Sequence, residues 1–460
     1  MDPRFIAHNS HLDDAANFSK TDPQLRWLAQ RHFQYRSPLL DQLPASQPGI
    51  YSLGGGRQIG KSTLLKQWMA ELLATGVRPE AIAFFTGELI NDHHSLLALL
   101  QAQLVDMPNA ELIYLFLDEV SYIRDWDKAI KFAADAGMLE NVVLLLTGSD
   151  LAFIQEARMR FPGRRGKAAN ADFHMYPLSF YECLTLKNTI EELDNQLQKP
   201  QSIQAETVDL IYAEFLQYLL HGGYLTATND MAEHGKILPG TLNTYSDWIR
   251  GDMLKRGKQE QYLREILAAI IKRYNSQITW NSLAGDLSID HPKTVADYIR
   301  LLESMDAVFV QSALLEDKLS PAPKKAKKLM FCDPFILHAI RAWIEPDLSP
   351  FTQQIIPLQQ DPVWMSKLVE SCVACHFRRF FPTYYIKAQA EVDIAYVHER
   401  KFWPIEIKWT QQLRPKELKQ VGKYTNGVIW ARNKQYGQIN GIKTLPLPIE
   451  LLRVGMLGFQ

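Results

Sequence analysis

GGRQIGKS, at residues 55–62, is the stretch whose reading decides the fold. It fits the pattern G-x-x-x-x-G-K-[ST] at every position. It also stands where that pattern has physical meaning, between a short apolar run, IYSL (50–53), and KSTLLKQWMAELLATG (61–76), whose apolar residues recur at helical spacing up to Gly76. Such glycines let backbone N–H groups turn inward around phosphate oxygens, at a helix N-terminus that already favours negative charge. The expected nucleotide contacts are Gly55, Gly56, Arg57, Gln58, Ile59, Gly60, Lys61, Ser62 and Thr63. Lys61 is expected to reach the β- and γ-phosphates of ATP, and Ser62 to hold Mg²⁺ through its hydroxyl.

Working outward, LIYLFLDE (112–119) is an apolar run that ends in two carboxylates. A buried strand with Asp118 and Glu119 at its C-terminal tip places them beside the phosphate loop, at the end of a sheet where ligands collect. Asp118 is then expected to bind Mg²⁺, directly or through water, and Glu119 to polarise the attacking water. The acid pair favours hydrolysis over kinase chemistry. AIAFF (81–85) and NVVLLLTGS (141–149) read as two more buried strands. Strands alternating with helices over this length imply a parallel α/β sheet covered on both faces. At the end of the last strand, Thr147 has two readings: a hydroxyl aimed at the γ-phosphate or lytic water, or a cap on the strand before a glycine turn. Arg164, in PGRRGK (162–167), likewise reads either as an arginine finger, in cis or across a subunit contact, or as part of a solvated basic loop.

The bulk composition agrees with this. The chain has 460 residues, 47% hydrophobic and 22% charged, which excludes a disordered or low-complexity chain and predicts about three domains. Its formal charge is -1, so global charge carries no information about an anionic partner. No apolar run approaches the ~20 residues that cross a bilayer, and the N-terminus lacks the basic and apolar segments of a secretory signal. Four cysteines form no disulfide framework. A soluble cytoplasmic protein with no membrane partner is expected.

Beyond Pro177 the pattern becomes mostly helical up to about residue 275. SQITWNSLAGDLSIDHPKTVADYIRLLESMDAVFVQSAL (276–314) then reads as helix, turn, helix and strand, a winged helix. Its second helix offers Lys293, Thr294 and Arg300 to DNA, but Asp297 and Glu303 oppose phosphate contact, so a packing or oligomerisation role stands beside DNA binding. KKAKK (324–328) is expected to be a solvated linker. Cys372-Val-Ala-Cys375-His376 spells a haem-attachment pattern, but its cysteines share a helix stripe with apolar neighbours and are expected to be core. The expected division is an N-terminal helical segment (1–45), an ATPase core (46–182), a helical lid or linker (183–257), a winged helix (258–316), a Lys/Pro-rich connector (317–328) and a C-terminal α/β domain (329–460).

These blocks together resemble a bacterial and archaeal family of AAA+ ATPases that carry an extra C-terminal domain of unknown function. The resemblance rests on GGGRQIGKSTLLKQW (54–68), YLFLDEVSYIRDWDKAIKF (114–132), LLLTGSD (144–150), PLSFYE (177–182), HGGYL (221–225), KLMFCDPFILHAI (328–340), LVESCVACHFRR (368–379) and EVDIAYVHERKFWPIEIKW (391–409). It covers about nine-tenths of the chain in order and departs from the family around 163–172, just before PLSFYE. The last block is similar to the PD-(D/E)xK nuclease core, a restriction-endonuclease-like α/β fold.

The residues support that likeness independently. A turn centred on Glu399-Arg400 sets Asp393 opposite Glu406 across a hairpin, with Cβ atoms about 5 Å apart, and Lys408 on the same face as Glu406. Two carboxylates and a lysine make a candidate site for a second divalent metal with a cation beside the attacking water. Glu370, on the preceding helix, matches the acidic residue that such folds often add. The other reading is a solvent-facing ion-pair ladder. Residues 361–460 hold 15 Lys+Arg against 8 Asp+Glu, a basic surface suited to DNA or RNA or to an acidic protein. Two functions are therefore expected: ATP hydrolysis coupled to nucleic-acid binding or cleavage, or an ATP-dependent switch with an inactive nuclease-like domain. A homo-oligomer is compatible with both.

Overall fold

The computed structural model describes residues 1–105, 107, 111–149, 159, 161, 163, 170–289, 291–410, 413 and 418–459. The chain divides into two compact units, Met1–Tyr176 and Pro177–Gln460.

The first unit is built on a sheet of parallel strands: β1 (Gly49–Gly54), β2 (Ile82–Thr86), β3 (Ile113–Asp118), β4 (Val142–Gly148) and β5 (Asp172–His174), in the order β2-β3-β4-β1-β5. Every residue of β1, β3 and β4 is buried, as apolar runs covered on both faces require. Helices His93–Val105 and Trp126–Asp135 bury Leu96, Leu100, Trp126 and Ile130 with Leu115, Leu117, Leu144 and Leu146 of the sheet. Four strands lie where the apolar runs put them. The fifth is a three-residue edge strand, and its Asp172 accepts a 2.5 Å hydrogen bond from the Ser52 hydroxyl.

Residues 1–45, expected as a separate segment, belong to this unit. The opposite edge strand, β2, would present unpaired backbone groups, and the N-terminal arm meets them. Asn9 donates to the Phe84 carbonyl at 2.8 Å and accepts from the Phe84 N–H at 2.7 Å. His11 Nε2 lies 3.1 Å from the Ile82 carbonyl oxygen. A helix spans Pro23–Ala29, capped by the Asp22 carboxylate, which accepts from the Gln24 and Leu25 N–H groups. Asp22 also lies 3.3 Å from the buried Lys66 ammonium on the helix Lys61–Ala74.

The second unit opens with helices Phe180–Lys187, Ala205–His221, Leu225–His234, Pro239–Lys255 and Glu260–Lys272. Helices Trp280–Ala284 and Pro292–Ser304 follow, then antiparallel strands. The short β6 (Gln277–Ile278) and the strand β7 (Val308–Ser312) flank a central strand from further along the chain. Between them in sequence, β8 (Leu314–Leu315) and β9 (Ser320–Pro321) pair with each other. The central strand is β10 (Lys327–Phe331). The connector expected over 317–328 is therefore partly sheet. Lys324 and Lys325 are exposed, but Lys328 is buried against the carboxylates of Glu370 and Glu391.

A six-stranded sheet ends the unit: β11 (Thr383–Lys387), β12 (Glu391–His398), β13 (Lys401–Lys408), β14 (Val428–Ala431), β15 (Gly437–Ile439) and β16 (Ile442–Pro446), in the order β11-β12-β13-β14-β16-β15. β11, β12 and β13 run antiparallel, and β13, β14 and β16 parallel. Helices Pro362–Phe377 and Leu447–Met456 pack on it.

Two sequence blocks, HGGYL and FCDP, meet in this unit. Asp333 accepts hydrogen bonds from the Gly223 N–H at 2.9 Å and the Phe335 N–H at 2.8 Å. Gly222, at φ 58°, lies so close that a Cβ would fall 1.8 Å from an Asp333 carboxylate oxygen. Cys372 and Cys375 are buried on their helix, as expected, and His376 accepts from the Phe180 N–H at 3.0 Å. Gly222→Ala is expected to lower the unfolding free energy by about 2–4 kcal/mol, the range for strained backbone and broken buried contacts. A denaturant melt superimposable on wild type contradicts this packing.

Candidate functional site

The phosphate-loop site is assembled by three strand ends. β4 lies between β1, which feeds the loop, and β3, which carries the acid pair, so Thr147 comes to stand between them. Gly55 has φ 148°, and a Cβ there would lie 2.5 Å from the Met175 carbonyl oxygen, so the loop's first residue has room for glycine alone. Gly56 and Ile59 are buried, and Gly60 caps the helix Lys61–Ala74 with φ 105°. Gln58 takes a left-handed conformation at φ 56°. Arg57 donates to the Tyr122 hydroxyl, fastening the loop tip to the turn after the acid pair. Thr63 lies in the first turn of the helix.

Lys61 is buried and folds back across the loop. Its ammonium donates to the carbonyls of Gly55 at 3.0 Å and Gly56 at 2.9 Å, and lies 3.6 Å from Glu119 Oε1. The Ser62 hydroxyl donates to Asp118 Oδ2 at 2.6 Å, and the Thr147 hydroxyl to Asp118 Oδ1 at 2.5 Å. Thr147 also accepts the Glu119 N–H at 2.9 Å. Burial lifts the Asp118 carboxyl above its ordinary range, opposed by the two hydroxyl donors. Glu119 Oε2 is buried and has no hydrogen-bond partner among the described residues. A buried carboxylate met by hydroxyls, beside an unpaired carboxylate oxygen, fits a hard divalent cation. Arg164 lies outside the described residues, so its two readings stand as before.

The second cluster lies in the other unit. Glu399 and Arg400 both have positive φ, 50° and 59°, which makes the two-residue hairpin turn of the expected register. His398 pairs with Lys401 and Ile394 with Ile405, so one further step sets Asp393 opposite Glu406. Asp393 Oδ2 accepts the Ile407 N–H at 2.8 Å. Lys408 donates to Glu406 Oε1 at 2.6 Å. Glu406 is buried, so the solvent-facing ladder does not describe it.

Two residues that the sequence reading missed complete the cluster. Lys328 donates to Glu370 Oε1 at 2.6 Å, contacts Glu391 and lies 3.9 Å from Asp393 Oδ1. Oxygens of Glu370, Glu391 and Asp393 lie within 4.8 Å of one another, a potential metal triad that includes Glu391 in place of Glu406. Glu391 was findable, since it precedes Asp393 by two and so shares its strand face. Lys328 sits in a Lys-rich run that gives no local sign of burial. Burial and then the Asp393 charge push the Glu370 and Glu406 carboxyls up, against the pull of Lys328 and Lys408 respectively. Burial would push the Lys328 ammonium down, but Glu370, Asp393 and Glu391 outweigh it and hold the proton on.

Of the expected DNA contacts, Lys293 and Arg300 are exposed. Asp297 is paired with Lys258 at 3.0 Å and lies 3.7 Å from Arg300, so its charge is largely offset.

A family model described as an AAA domain matches residues 47–184. A second, a domain of unknown function (DUF8612), matches residues 212–347. An uncharacterised protein of Haemophilus influenzae is 24% identical over 268 residues, 55% of this chain and 60% of its own length, so the chain spans about 60% of that curated relative. Among solved structures, a Walker-type ATPase of Pyrococcus abyssi aligns with TM-score 0.41 at 15% identity, over 64% of this chain and 91% of its own. The Aeropyrum pernix ORC1 protein, solved in complex with DNA, aligns with TM-score 0.33 at 12% identity, over 66% and 90%. No described helix is long and apolar enough to cross a membrane.

Gly55→Ala is expected to leave secondary structure intact and weaken ATP binding about tenfold or more, because the loop must move off Met175. Unchanged ATP affinity contradicts the loop geometry. The matched AAA domain and the strand–loop–helix geometry together support ATP binding and hydrolysis by the first unit.

Proposed function

We propose that the protein is a Mg²⁺-dependent ATPase whose turnover gates action on nucleic acid by its second unit. The observation that carries the first part is the Ser62–Asp118–Thr147–Glu119 network. In this reading Ser62 and Asp118 hold Mg²⁺, which neutralises charge on the transferring phosphoryl group. Lys61 leaves the Gly55 and Gly56 carbonyls for the β- and γ-phosphates, Glu119 orients the attacking water, and Thr147 fixes the Asp118 and Glu119 positions. Arg164 is the candidate finger.

For the second unit, Asp393, Glu406, Lys408 and Glu370 support a metal-dependent phosphodiester cleavage site, in which Lys408 stabilises the attacking water and the carboxylates hold the metal. The helix that carries exposed Lys293 and Arg300 and half-buried Thr294, with the basic 361–460 region, suits a DNA or RNA partner. A specific observation favours a second reading, an ATP-dependent switch without cleavage: the Lys328 ammonium already sits among the carboxylates.

Lys61→Ala is expected to abolish ATP turnover, and Glu119→Gln to retain ATP binding while slowing hydrolysis by about a hundredfold or more. Retained hydrolysis in the Lys61 variant shows that the site is misplaced. A Mg²⁺/Mn²⁺ cleavage assay on single- and double-stranded DNA and RNA, with and without ATP, separates the two readings. Cleavage that disappears in Asp393→Ala supports the nuclease, whereas no cleavage with intact ATP hydrolysis leaves the switch.

A further inference from the structure

We propose that Glu370, Glu391 and Asp393 form a divalent-cation site whose position is held in the present conformation by the Lys328 ammonium, so that cation and lysine compete for it. The inference rests on the reading of this cluster as a metal site, and it adds which residues bind and what excludes the metal.

Geometry carries the first step. The three carboxylates each offer an oxygen, all within 4.8 Å of one another. Lys328 Nζ faces all three, 2.6 Å from Glu370, in contact with Glu391 and 3.9 Å from Asp393. Its side chain is 2% exposed, so the ammonium is desolvated at the one point towards which the carboxylates converge. An all-oxygen set suits Mg²⁺ or Mn²⁺ in preference to softer ions.

Charge carries the second. Three carboxylates face one ammonium, and the neighbouring Glu406 is matched by Lys408 at only one of its oxygens. Glu406 Oε2 is buried without a partner among the described residues, on the strand position opposite Asp393. An unmet carboxylate oxygen in a dry site marks positive charge still lacking. Exchanging the ammonium for a divalent cation brings one more positive charge to that point.

The third step is connectivity. Lys328 belongs to β10, the middle strand of the small sheet that follows the Pro292–Ser304 helix, whereas Glu391 and Asp393 belong to β12 and Glu370 to the helix Pro362–Phe377. Gln277, on β6 of the same small sheet, also donates to Glu391. Whatever draws that sheet away removes the lysine and the glutamine together and opens the carboxylates to metal. The small sheet thus acts as a plug on the acid cluster.

The test is calorimetric titration of Mn²⁺ into the nucleotide-free full chain. Lys328→Met is expected to bind Mn²⁺ about tenfold or more tightly than wild type, because a like charge no longer competes for the point. Adding Glu391→Gln to that variant should remove the gain. Equal affinity in wild type and Lys328→Met, or a gain that survives Glu391→Gln, overturns the proposal. Should Lys328→Met fail to fold, the wild type decides: reductive methylation of Lys328, read by peptide mass spectrometry, is expected to rise as Mn²⁺ is added. Constant protection at millimolar Mn²⁺ overturns the competition. Neither readout involves cleavage, so Mn²⁺ binding without nuclease activity sinks the nuclease reading and leaves this site standing.

Discussion

A carboxylate taken out of water must be met by donors or by a cation, and both units of this chain are organised around that constraint. In the first, Asp118 is driven into the interior by the apolar run of β3, and hydroxyls from Ser62 and Thr147 converge on it. That convergence ties the phosphate loop's helix to two strand ends. In the second, the carboxylates of Glu370, Glu391 and Asp393 gather around a lysine from another sheet. In the first cluster neutral hydroxyl donors meet Asp118. The other already holds an internal cation.

Hydroxyl donors offset part of the burial cost of Asp118 without supplying charge. Lys328 supplies charge directly. The first unit thus meets its buried carboxylate with hydroxyl dipoles, and the second meets its acid cluster with a full positive charge.

Much of this was legible in the sequence where local rules govern. The phosphate loop is readable because backbone geometry demands glycine at Gly55, with Met175 pressed against it. The strands β1 to β4 are readable because burial on both faces forces apolar runs. The hairpin register is readable because a two-residue turn at Glu399-Arg400 leaves one pairing, which sets Asp393 against Glu406. What escaped is set by tertiary neighbours. β5 is three residues, two of them polar, and is a strand only because β1 lies beside it. Asn9 and His11 look like loop residues until the open edge of β2 gives them a role. Lys328 reads as solvated linker because it closes a Lys-rich run, and its burial is set by Glu370, Glu391 and Asp393, which lie far along the chain.

The account stands on the claim that Asp118 and Ser62 form the metal side of an ATP site. Affinity for a fluorescent ATP analogue, measured with Mg²⁺ and with EDTA on wild type and Asp118→Asn, tests it most directly. The account predicts that Mg²⁺ strengthens binding markedly in wild type and far less in the variant. An equal gain from Mg²⁺ in both proteins contradicts it.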